Sequence, residues 1–111
     1  MLYIASDHAG FQLKKELIKY LKTILNKEVE DMGPTAFVDT DDFPDFAIPL
    51  AKAVAKNKDS FGILICGTGH GMCIVANKIK GAYAILGYTL RATELGRKHN
   101  NANILCLPER M

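Results

Sequence analysis

The chain has 111 residues, of which 49% are hydrophobic, so it can form one hydrophobic core but not two ordinary domains. Its 14 lysines and arginines and 12 aspartates and glutamates are scattered along the chain, so no basic patch is available for nucleic acid or a membrane surface. No apolar run reaches membrane-spanning length, and Asp7 interrupts the first one too early for a signal peptide. We therefore expect a single cytoplasmic domain, residues 1–111, whose partner is a small molecule.

Strands and helices are predicted to alternate along the whole chain by the spacing of its apolar residues. The predicted strands cover residues 2–6, the surroundings of Val29, and residues 61–66, 82–86 and 103–107. The predicted helices cover residues 11–25, a segment with the apolar stripe Phe46, Leu50 and Val54, a segment through Met72, Val75 and Ile79, and residues 89–99. The first helix is expected to carry its lysines, Lys14 included, largely on the face opposite its leucines. In the second helix, Pro49 is expected to fit only within the first turn.

Five strands alternating with four helices predict an α/β fold, a doubly wound, Rossmann-like parallel sheet with helices on both faces and the strand order 2-1-3-4-5. In such a sheet a ligand binds beyond the carboxyl ends of strands 1 and 3, where successive connections leave to opposite faces. Asp7-His8-Ala9-Gly10 follows strand 1, and Cys66-Gly67-Thr68-Gly69-His70-Gly71 follows strand 3. The topology therefore predicts that these two segments meet at a ligand site.

The glycine-rich loop of residues 67–71 joins a strand to a helix, so its backbone N–H groups can hold an anion, although a tight turn alone also explains the glycines. A dinucleotide is not expected, because Met72 stands at the third glycine of the dinucleotide-binding pattern and Leu86-Gly87-Tyr88 offers no acid for a ribose. No Lys-Ser or Lys-Thr pair completes a P-loop. The loop therefore favours a small anionic ligand.

Cys66 directly precedes this loop. A cysteine that closes a strand is commonly a buried hydrophobe, but neighbouring N–H groups and a helix N-terminus stabilise a thiolate, which can act as a base or a nucleophile. Cys73 and Cys106 fall inside a predicted helix and a predicted strand, where packing is the expected role. Three cysteines are an odd number and contain no Cys-x-x-Cys pair, so we expect neither a disulfide framework nor a zinc site. No His-x-His or His-x-x-x-His spacing indicates a metal site either. This cysteine content favours a reducing compartment.

The remaining polar candidates each have a structural alternative. Asp7 is expected either to cap a helix or to act in the site with His8. His99, followed by Asn100, is either a stabilising cation at a helix C-terminus or the partner of Cys66 in a peptidase-like pair. His70 either faces the ligand or is an exposed loop residue. Residue types alone leave these alternatives open.

Six segments of the sequence form a specific set. They are Ser6-Asp7-His8-Ala9-Gly10, Asp31-Met32-Gly33, Phe43-Pro44-Asp45, Cys66-Gly67-Thr68-Gly69-His70-Gly71-Met72, Ala76-Asn77-Lys78 and His99-Asn100-Asn101-Ala102-Asn103. Together they resemble ribose 5-phosphate isomerase type B, in the family that also includes the galactose 6-phosphate isomerase subunits. The resemblance covers essentially the whole chain. It implies interconversion of ribose 5-phosphate and ribulose 5-phosphate, without a metal or organic cofactor, by a homo-oligomer (dimer or tetramer) with sites between subunits.

The resemblance also implies roles for individual residues. Cys66 would move the proton between C1 and C2, Thr68 would hydrogen-bond the reacting oxygens, and Asp7 and His99 would assist opening of the furanose ring. His99, Asn100 and Arg110 of one subunit would serve Cys66 of a neighbouring subunit. The implied substrate-binding residues are His8, Gly67, Gly69, His70, Gly71, Asn100, Arg110 and Phe43, with His8 and Arg110 at the phosphate. Some members carry a glutamate base where this chain has Met72, so the chain is of the cysteine type.

Two residues depart from the family pattern, and both are expected to influence substrate preference. Phe43 replaces the tyrosine usual before Pro-Asp, and His70 fills a position that usually carries an apolar or amide residue.

Members also continue through another helix, beyond Met111, that supplies arginines to the phosphate site. We therefore expect exposed apolar sheet surface, self-association and a larger share of the phosphate charge on His8 and Arg110. An isomerase of galactose or allose 6-phosphate and a non-catalytic sugar-phosphate-binding module are the alternative functions.

Overall fold

The computed structural model describes residues 1–111 and contains five strands and four α-helices in alternation, which confirms the predicted doubly wound α/β class. The strands are β1 (Leu2–Ser6), β2 (Val29–Asp31), β3 (Phe61–Cys66), β4 (Ala84–Leu86) and β5 (Ile104–Pro108). The helices are α1 (Phe11–Thr23), α2 (Pro44–Lys56), α3 (His70–Ala76) and α4 (Leu90–Asn100), and a 3₁₀ turn, His8–Gly10, precedes α1. No helix combines the length and the apolar character needed to cross a membrane.

All five strands are parallel and lie in the order β2-β1-β3-β5-β4, so the predicted order 2-1-3-4-5 is wrong in its last two positions. β5 is the longer of the last two strands and buries Ile104 and Cys106, which suits an interior position. β4 has three residues and fits the edge of the sheet. Apolar periodicity predicts strands but not their neighbours, and right-handed crossovers permit both orders. The observed order places the end of β5 directly beside the end of β3.

The main hydrophobic core lies between the sheet and the pair α2 and α3. Leu50 on α2 and Met72 on α3 are buried there with Leu64 on β3 and Cys106 on β5. Full burial of a large apolar side chain contributes about 1.5 to 3 kcal/mol to folding. This packing fixes α3 against the carboxyl half of β3, and therefore also fixes the ends of the loop that joins them.

α1 and α4 lie over the other face of the sheet, which is less completely covered. Ile85 on β4 approaches α4 so closely that a Cβ at Gly96 would lie 2.4 Å from its Cδ1 atom. Elsewhere on this face, Ile63 and Leu105 border a depression of about 200 Å³ and are only half-buried. Apolar sheet surface is therefore partly exposed on this face.

Lys14 lies inside the protein rather than on the polar face of α1, so the expectation for this lysine is wrong. Its side chain is 1% exposed, and its ammonium group lies 2.8 Å from the carboxylate of Asp31 and donates to the carbonyl of Pro34. Asp31 also accepts the N–H of Gly33 at 2.9 Å. The helical pattern of the sequence does not reveal the burial of Lys14, because a long lysine side chain can extend along apolar surface to a carboxylate on another element. The pair connects α1 to the end of β2 and the loop after it.

Pro49 lies in the second turn of its helix, so the expectation that it falls in the first turn is wrong. α2 begins at Pro44, whose fixed φ angle suits the first helical position. Pro49 therefore removes one internal hydrogen bond. Ala47, Leu50 and Val54 on the same helix are buried, and this packing outweighs the lost bond.

We predict that Lys14→Met destabilises the protein. The thioether retains most of the stem's volume but leaves the carbonyl of Pro34 without the lysine donor and the carboxylate of Asp31 with only the N–H of Gly33. The expected loss is about 1 to 3 kcal/mol, below the range for a fully buried pair because water partly solvates Asp31. Urea unfolding measures it, with Lys19→Met on the exposed side of α1 as the matched control. Equal stability of the two variants would contradict this account of the pair.

Candidate active site

The carboxyl ends of β1, β3 and β5 lie side by side and form a cleft. The pairing of Ser6 with Ile65 and of Cys66 with Pro108 brings these ends into register. The cleft has a volume of about 240 Å³, which suits a small molecule. Its walls are formed by Asp7, His8, Ala9, Phe43, Cys66, Gly67, Thr68, Gly71 and Arg110. The two segments that the topology was expected to bring together therefore do meet.

Cys66 lies at the base of the cleft with 5% of its surface exposed. Its sulfur accepts a hydrogen bond from the backbone N–H of Gly69 at 3.1 Å. Gly69 has a φ angle of 81°, and a Cβ there would lie 2.5 Å from Leu86, so the loop requires glycine at this position. A sulfur that carries negative charge accepts such a bond better than a neutral thiol does. The loop therefore stabilises the form of Cys66 that can remove a proton.

The other two thiols contact each other in the core, away from the cleft. A hydrogen bond with Cys106 lowers the pKa of Cys73 to about 7. The same contact, together with burial, raises the pKa of Cys106. Cys73 lies in α3 and Cys106 in β5, which confirms their predicted location in packed elements. Neither thiol borders the cleft.

Asp7 is buried at the end of β1, where one of its carboxylate oxygens accepts the N–H of Gly10 at 3.1 Å. This bond caps the 3₁₀ turn, so the capping role expected for Asp7 is present. Burial raises the pKa of Asp7, and the opposing effects of the Gly10 N–H and of His8 are smaller. A carboxyl group with a raised pKa is better suited to exchange protons near neutral pH. The cap and a role in the cleft are therefore compatible.

His8 is oriented by Asp41, a residue that the sequence did not single out. One carboxylate oxygen of Asp41 lies 2.8 Å from Nδ1 of His8 and accepts the His8 backbone N–H at 2.9 Å. The other oxygen of Asp41 is buried without a hydrogen-bond partner. The hydrogen bond with Asp41 raises the pKa of His8. Asp41 belongs to the polar loop before α2, and no local pattern indicates that this loop contacts the 3₁₀ turn after β1, 33 residues earlier in the sequence.

Arg110 reaches the cleft because β5 is the neighbour of β3. Its backbone N–H donates to the carbonyl of Gly67 at 2.9 Å, and its side chain lies against Gly67, where a Cβ would be 3.1 Å from the arginine Cδ. The preceding residue, Glu109, accepts the N–H of Leu13 at 2.6 Å. That bond satisfies a free donor in the first turn of α1. The end of β5 is therefore attached to both β3 and α1, and Arg110 lies beside Gly67 in the cleft of its own chain.

His99 and Asn100 lie outside the cleft. α4 begins after the carboxyl end of β4 and ends before the amino end of β5, so its last residues lie at the opposite end of the sheet from Cys66. The peptidase-like pair of Cys66 and His99 within one chain is therefore excluded.

His70 is exposed and its ring points to Tyr88, with Nε2 3.0 Å from the tyrosine hydroxyl. Gly69 is buried within the loop and is not among the residues that form the cleft wall.

Phe43 forms the edge of the cleft above the glycine loop. Its ring packs on Gly71, where a Cβ would lie 2.9 Å from the ring. Any side chain at position 71 would therefore displace Phe43. The tyrosine that the family usually carries at this position would present a hydroxyl near the same edge.

A larger depression, about 600 Å³, lies at the far end of the sheet between Met1, the end of α1 and β2. Charged residues such as Lys22, Lys27, Glu28 and Glu30 border it. Its lining contains no cysteine, serine, threonine or histidine, so we assign the site to the smaller cleft. The structure contains no cluster of three or more histidine, cysteine or acidic side chains suited to a metal ion.

We predict that Asp41→Asn lowers the pH at which His8 loses its proton, because a neutral amide stabilises the imidazolium less than a carboxylate does. Protonated His8, and any anion affinity that depends on it, is present below the raised pKa and is lost as pH rises through it. In the variant that loss moves to lower pH. NMR titration of the imidazole measures it, with Asp39→Asn, exposed on the same loop, as the control. An unchanged His8 titration in Asp41→Asn would contradict the assignment.

Comparison with known proteins agrees with this arrangement. The ribose/galactose isomerase family model matches residues 2–111. The chain is 50% identical over 110 residues to a probable ribose-5-phosphate isomerase B of Mycoplasma genitalium, which covers 98% of this chain and 72% of the relative. The ribose-5-phosphate isomerase B of Mycolicibacterium paratuberculosis is 37% identical over 110 residues, which covers 99% of this chain and 69% of the relative.

Two solved structures show the same fold. The M. genitalium ribose-5-phosphate isomerase B with bound ribulose-5-phosphate superposes with a TM-score of 0.93 at 50% identity, covering 98% of this chain and 72% of that one. The Thermotoga maritima ribose 5-phosphate isomerase gives a TM-score of 0.93 at 44% identity, with 99% of this chain and 74% of that one covered. The chain therefore belongs to the ribose/galactose isomerase family.

Proposed function

We propose that this chain is an aldose-ketose isomerase that interconverts ribose 5-phosphate and ribulose 5-phosphate through an enediolate, with Cys66 as the general base. The observation that carries the proposal is the Cys66 sulfur, which lies in the cleft and accepts the Gly69 N–H at 3.1 Å. The M. genitalium relative, which is 50% identical to this chain over the aligned residues, was solved with ribulose-5-phosphate bound. A thiolate and a loop of N–H groups supply the proton transfer and the charge stabilisation, so we propose no metal or organic cofactor.

The chemistry needs one base that serves two adjacent carbons. In the direction from aldose to ketose, the Cys66 thiolate removes the proton from C2, and the electron pair of that bond forms the C1–C2 double bond of the enediolate. The former carbonyl oxygen on C1 takes up the negative charge, which N–H groups of the loop from Gly67 to Gly71 and the hydroxyl of Thr68 stabilise. The protonated thiol then returns its proton to C1. In the same step the hydroxyl proton on the C2 oxygen passes to the negatively charged C1 oxygen, with the hydroxyl of Thr68 as the relay, and the carbonyl forms at C2. The base ends as the thiolate from which it started.

The phosphate of the substrate fits the positively charged side of the cleft. Arg110 lies beside Gly67, and His8 faces the same space with its proton favoured by Asp41. A guanidinium group binds phosphate oxygens through two parallel hydrogen bonds. We therefore assign His8 and Arg110 to the phosphate and the glycine loop to the reacting carbons. Phe43 and Gly71 border the sugar between them.

Opening of the furanose ring requires a proton exchange before the C2 step. Asp7, whose pKa burial raises, lies in the cleft at the correct end of β1. His99 and Asn100 lie at the other end of the same chain, so we propose that a neighbouring subunit supplies them. We accordingly propose a homo-oligomer, a dimer or a tetramer, with its sites between subunits. Three free thiols support a location in the reducing cytoplasm.

We predict that Cys66→Ala abolishes turnover of ribose 5-phosphate in a coupled assay, because a methyl group cannot accept a proton. The loss of a well-placed general base costs on the order of a hundredfold or more in rate. The wild-type protein is expected to keep its activity in the presence of a chelator. Cys73→Ala, which removes a thiol outside the cleft, is the matched control and is expected to retain activity.

Other outcomes of the same assay separate the alternatives. Retained turnover in Cys66→Ala would show that another group is the base. Faster turnover of galactose or allose 6-phosphate than of ribose 5-phosphate would assign the chain to a six-carbon substrate. Binding of ribose 5-phosphate without turnover by the wild-type protein would show a sugar-phosphate-binding module.

We predict that mixing Cys66→Ala with His99→Ala restores activity that neither variant has alone. If each site combines Cys66 of one subunit with His99 of another, a mixed dimer contains one intact site. Random reassociation then yields about a quarter of wild-type activity, since about half of the dimers are mixed. Unfolding the variants together, refolding them and assaying turnover makes the measurement. No recovery, with mixed dimers demonstrated by mass, would show that His99 does not serve a neighbouring site.

A further inference from the structure

Tyr88, in the loop between β4 and α4, contacts the glycine-rich loop from outside the cleft. Its hydroxyl lies 3.0 Å from the carbonyl oxygen of Thr68 and 3.0 Å from Nε2 of His70. Its ring meets the His70 ring edge to face, with the centroids 5.8 Å apart. The mechanism proposed above gives no role to Tyr88.

The directions of these hydrogen bonds follow from the groups involved. The carbonyl of Thr68 can only accept, so the single hydroxyl proton of Tyr88 is donated to it. The His70 Nε2 then donates its proton to the tyrosine oxygen. Two hydrogen bonds in series polarise each other, which strengthens the bond to Thr68. His70 and Tyr88 together therefore hold one carbonyl of the loop.

That carbonyl belongs to the same peptide unit as the N–H that reaches Cys66. The Thr68 C=O and the Gly69 N–H lie in one plane and point in opposite directions, so fixing the oxygen fixes the hydrogen. Tyr88 holds the oxygen, and the N–H meets the Cys66 sulfur at 3.1 Å. Rotation of this peptide would remove the donor from Cys66. Glycine at position 69 permits such a rotation, because glycine tolerates either sign of φ.

We propose that Tyr88 is a positioning residue for Cys66, and that its hydroxyl keeps the Thr68–Gly69 peptide turned so that the Gly69 N–H faces the sulfur. His70 supports Tyr88 in this role and does not bind the substrate. The inference rests on the proposed function only in taking Cys66 as the reacting group. The consequence for activity is a change in kcat, since Tyr88 lies outside the substrate cleft.

The test compares Tyr88→Phe with Tyr83→Phe in the full chain. Tyr83 is similarly exposed, lies before the amino end of β4 and makes no side-chain hydrogen bond to the loop, so it controls for the loss of a tyrosine hydroxyl. Two quantities are measured: the rate of Cys66 alkylation by iodoacetamide as a function of pH, followed by peptide mass spectrometry, and kcat and KM for ribose 5-phosphate. The other ionisable groups around Cys66 are the same in both variants: Asp7, His8, Arg110 and Cys106.

In Tyr88→Phe we expect the midpoint of the alkylation profile to move up by about 0.5 to 1 pH unit, because a hydrogen bond to the thiolate is weakened. We expect kcat to fall about tenfold, with KM within about twofold of the wild-type value. Tyr83→Phe should match the wild-type protein in all three quantities. His70→Phe, which keeps a ring beside Tyr88 but removes the N–H, should shift the profile in the same direction by a smaller amount.

An alkylation profile of Tyr88→Phe that matches Tyr83→Phe would overturn the proposal, whatever happens to turnover. A higher KM with unchanged kcat and unchanged alkylation would also overturn it, because Tyr88 would then act in substrate binding. If the wild-type protein turns over no sugar phosphate, the proposed function fails, but the shift in alkylation between the two variants still confirms the orienting role.

Discussion

The candidate site depends on one constraint, the parallel pairing of β3 with β1 on one side and β5 on the other. This pairing places Asp7, Cys66 and Arg110 at neighbouring strand ends, although they are separated by long stretches of sequence. Parallel neighbours require a crossover, so β1 and β3 are each followed by a loop and a helix. The chemistry of the cleft is therefore located by backbone hydrogen bonds, and each contributing loop varies independently of the others.

The side chains of His8 and Cys66 and the end of β5 are held by hydrogen bonds that the strand pairing alone does not provide. Asp41 orients His8, the Gly69 N–H faces Cys66, and Glu109 attaches the end of β5 to α1. Charged and polar groups stabilise a developing charge best when they are already held in the required geometry. These hydrogen bonds therefore orient the side chains of the cleft more than they stabilise the fold. The apolar core beneath α2 and α3 stabilises the fold as a whole.

Local patterns in the sequence predict the local parts of this structure. Periodicity predicts the extents of β1 and β3, and glycine spacing predicts the turn after Cys66. The topology of parallel sheets predicts that the segments after β1 and β3 meet at one cleft. Local patterns do not predict three other features: the order of β4 and β5 in the sheet, the burial of Lys14, and the hydrogen bond between Asp41 and His8. All three depend on contacts between residues distant in sequence, for which one chain provides no local signal. The position of His99 shows the same limit, since its distance from Cys66 within the chain depends on the topology of the whole sheet.

A crystal structure with ribulose 5-phosphate tests the central claim most directly. The account predicts that C1 and C2 of the sugar lie about 3 to 3.5 Å from the Cys66 sulfur, close enough for proton transfer. It also predicts that the phosphate contacts Arg110 or His8, and that the oxygens on C1 and C2 face the N–H groups of residues 67–71. A phosphate bound at the glycine loop, with the reacting carbons away from Cys66, would contradict the account.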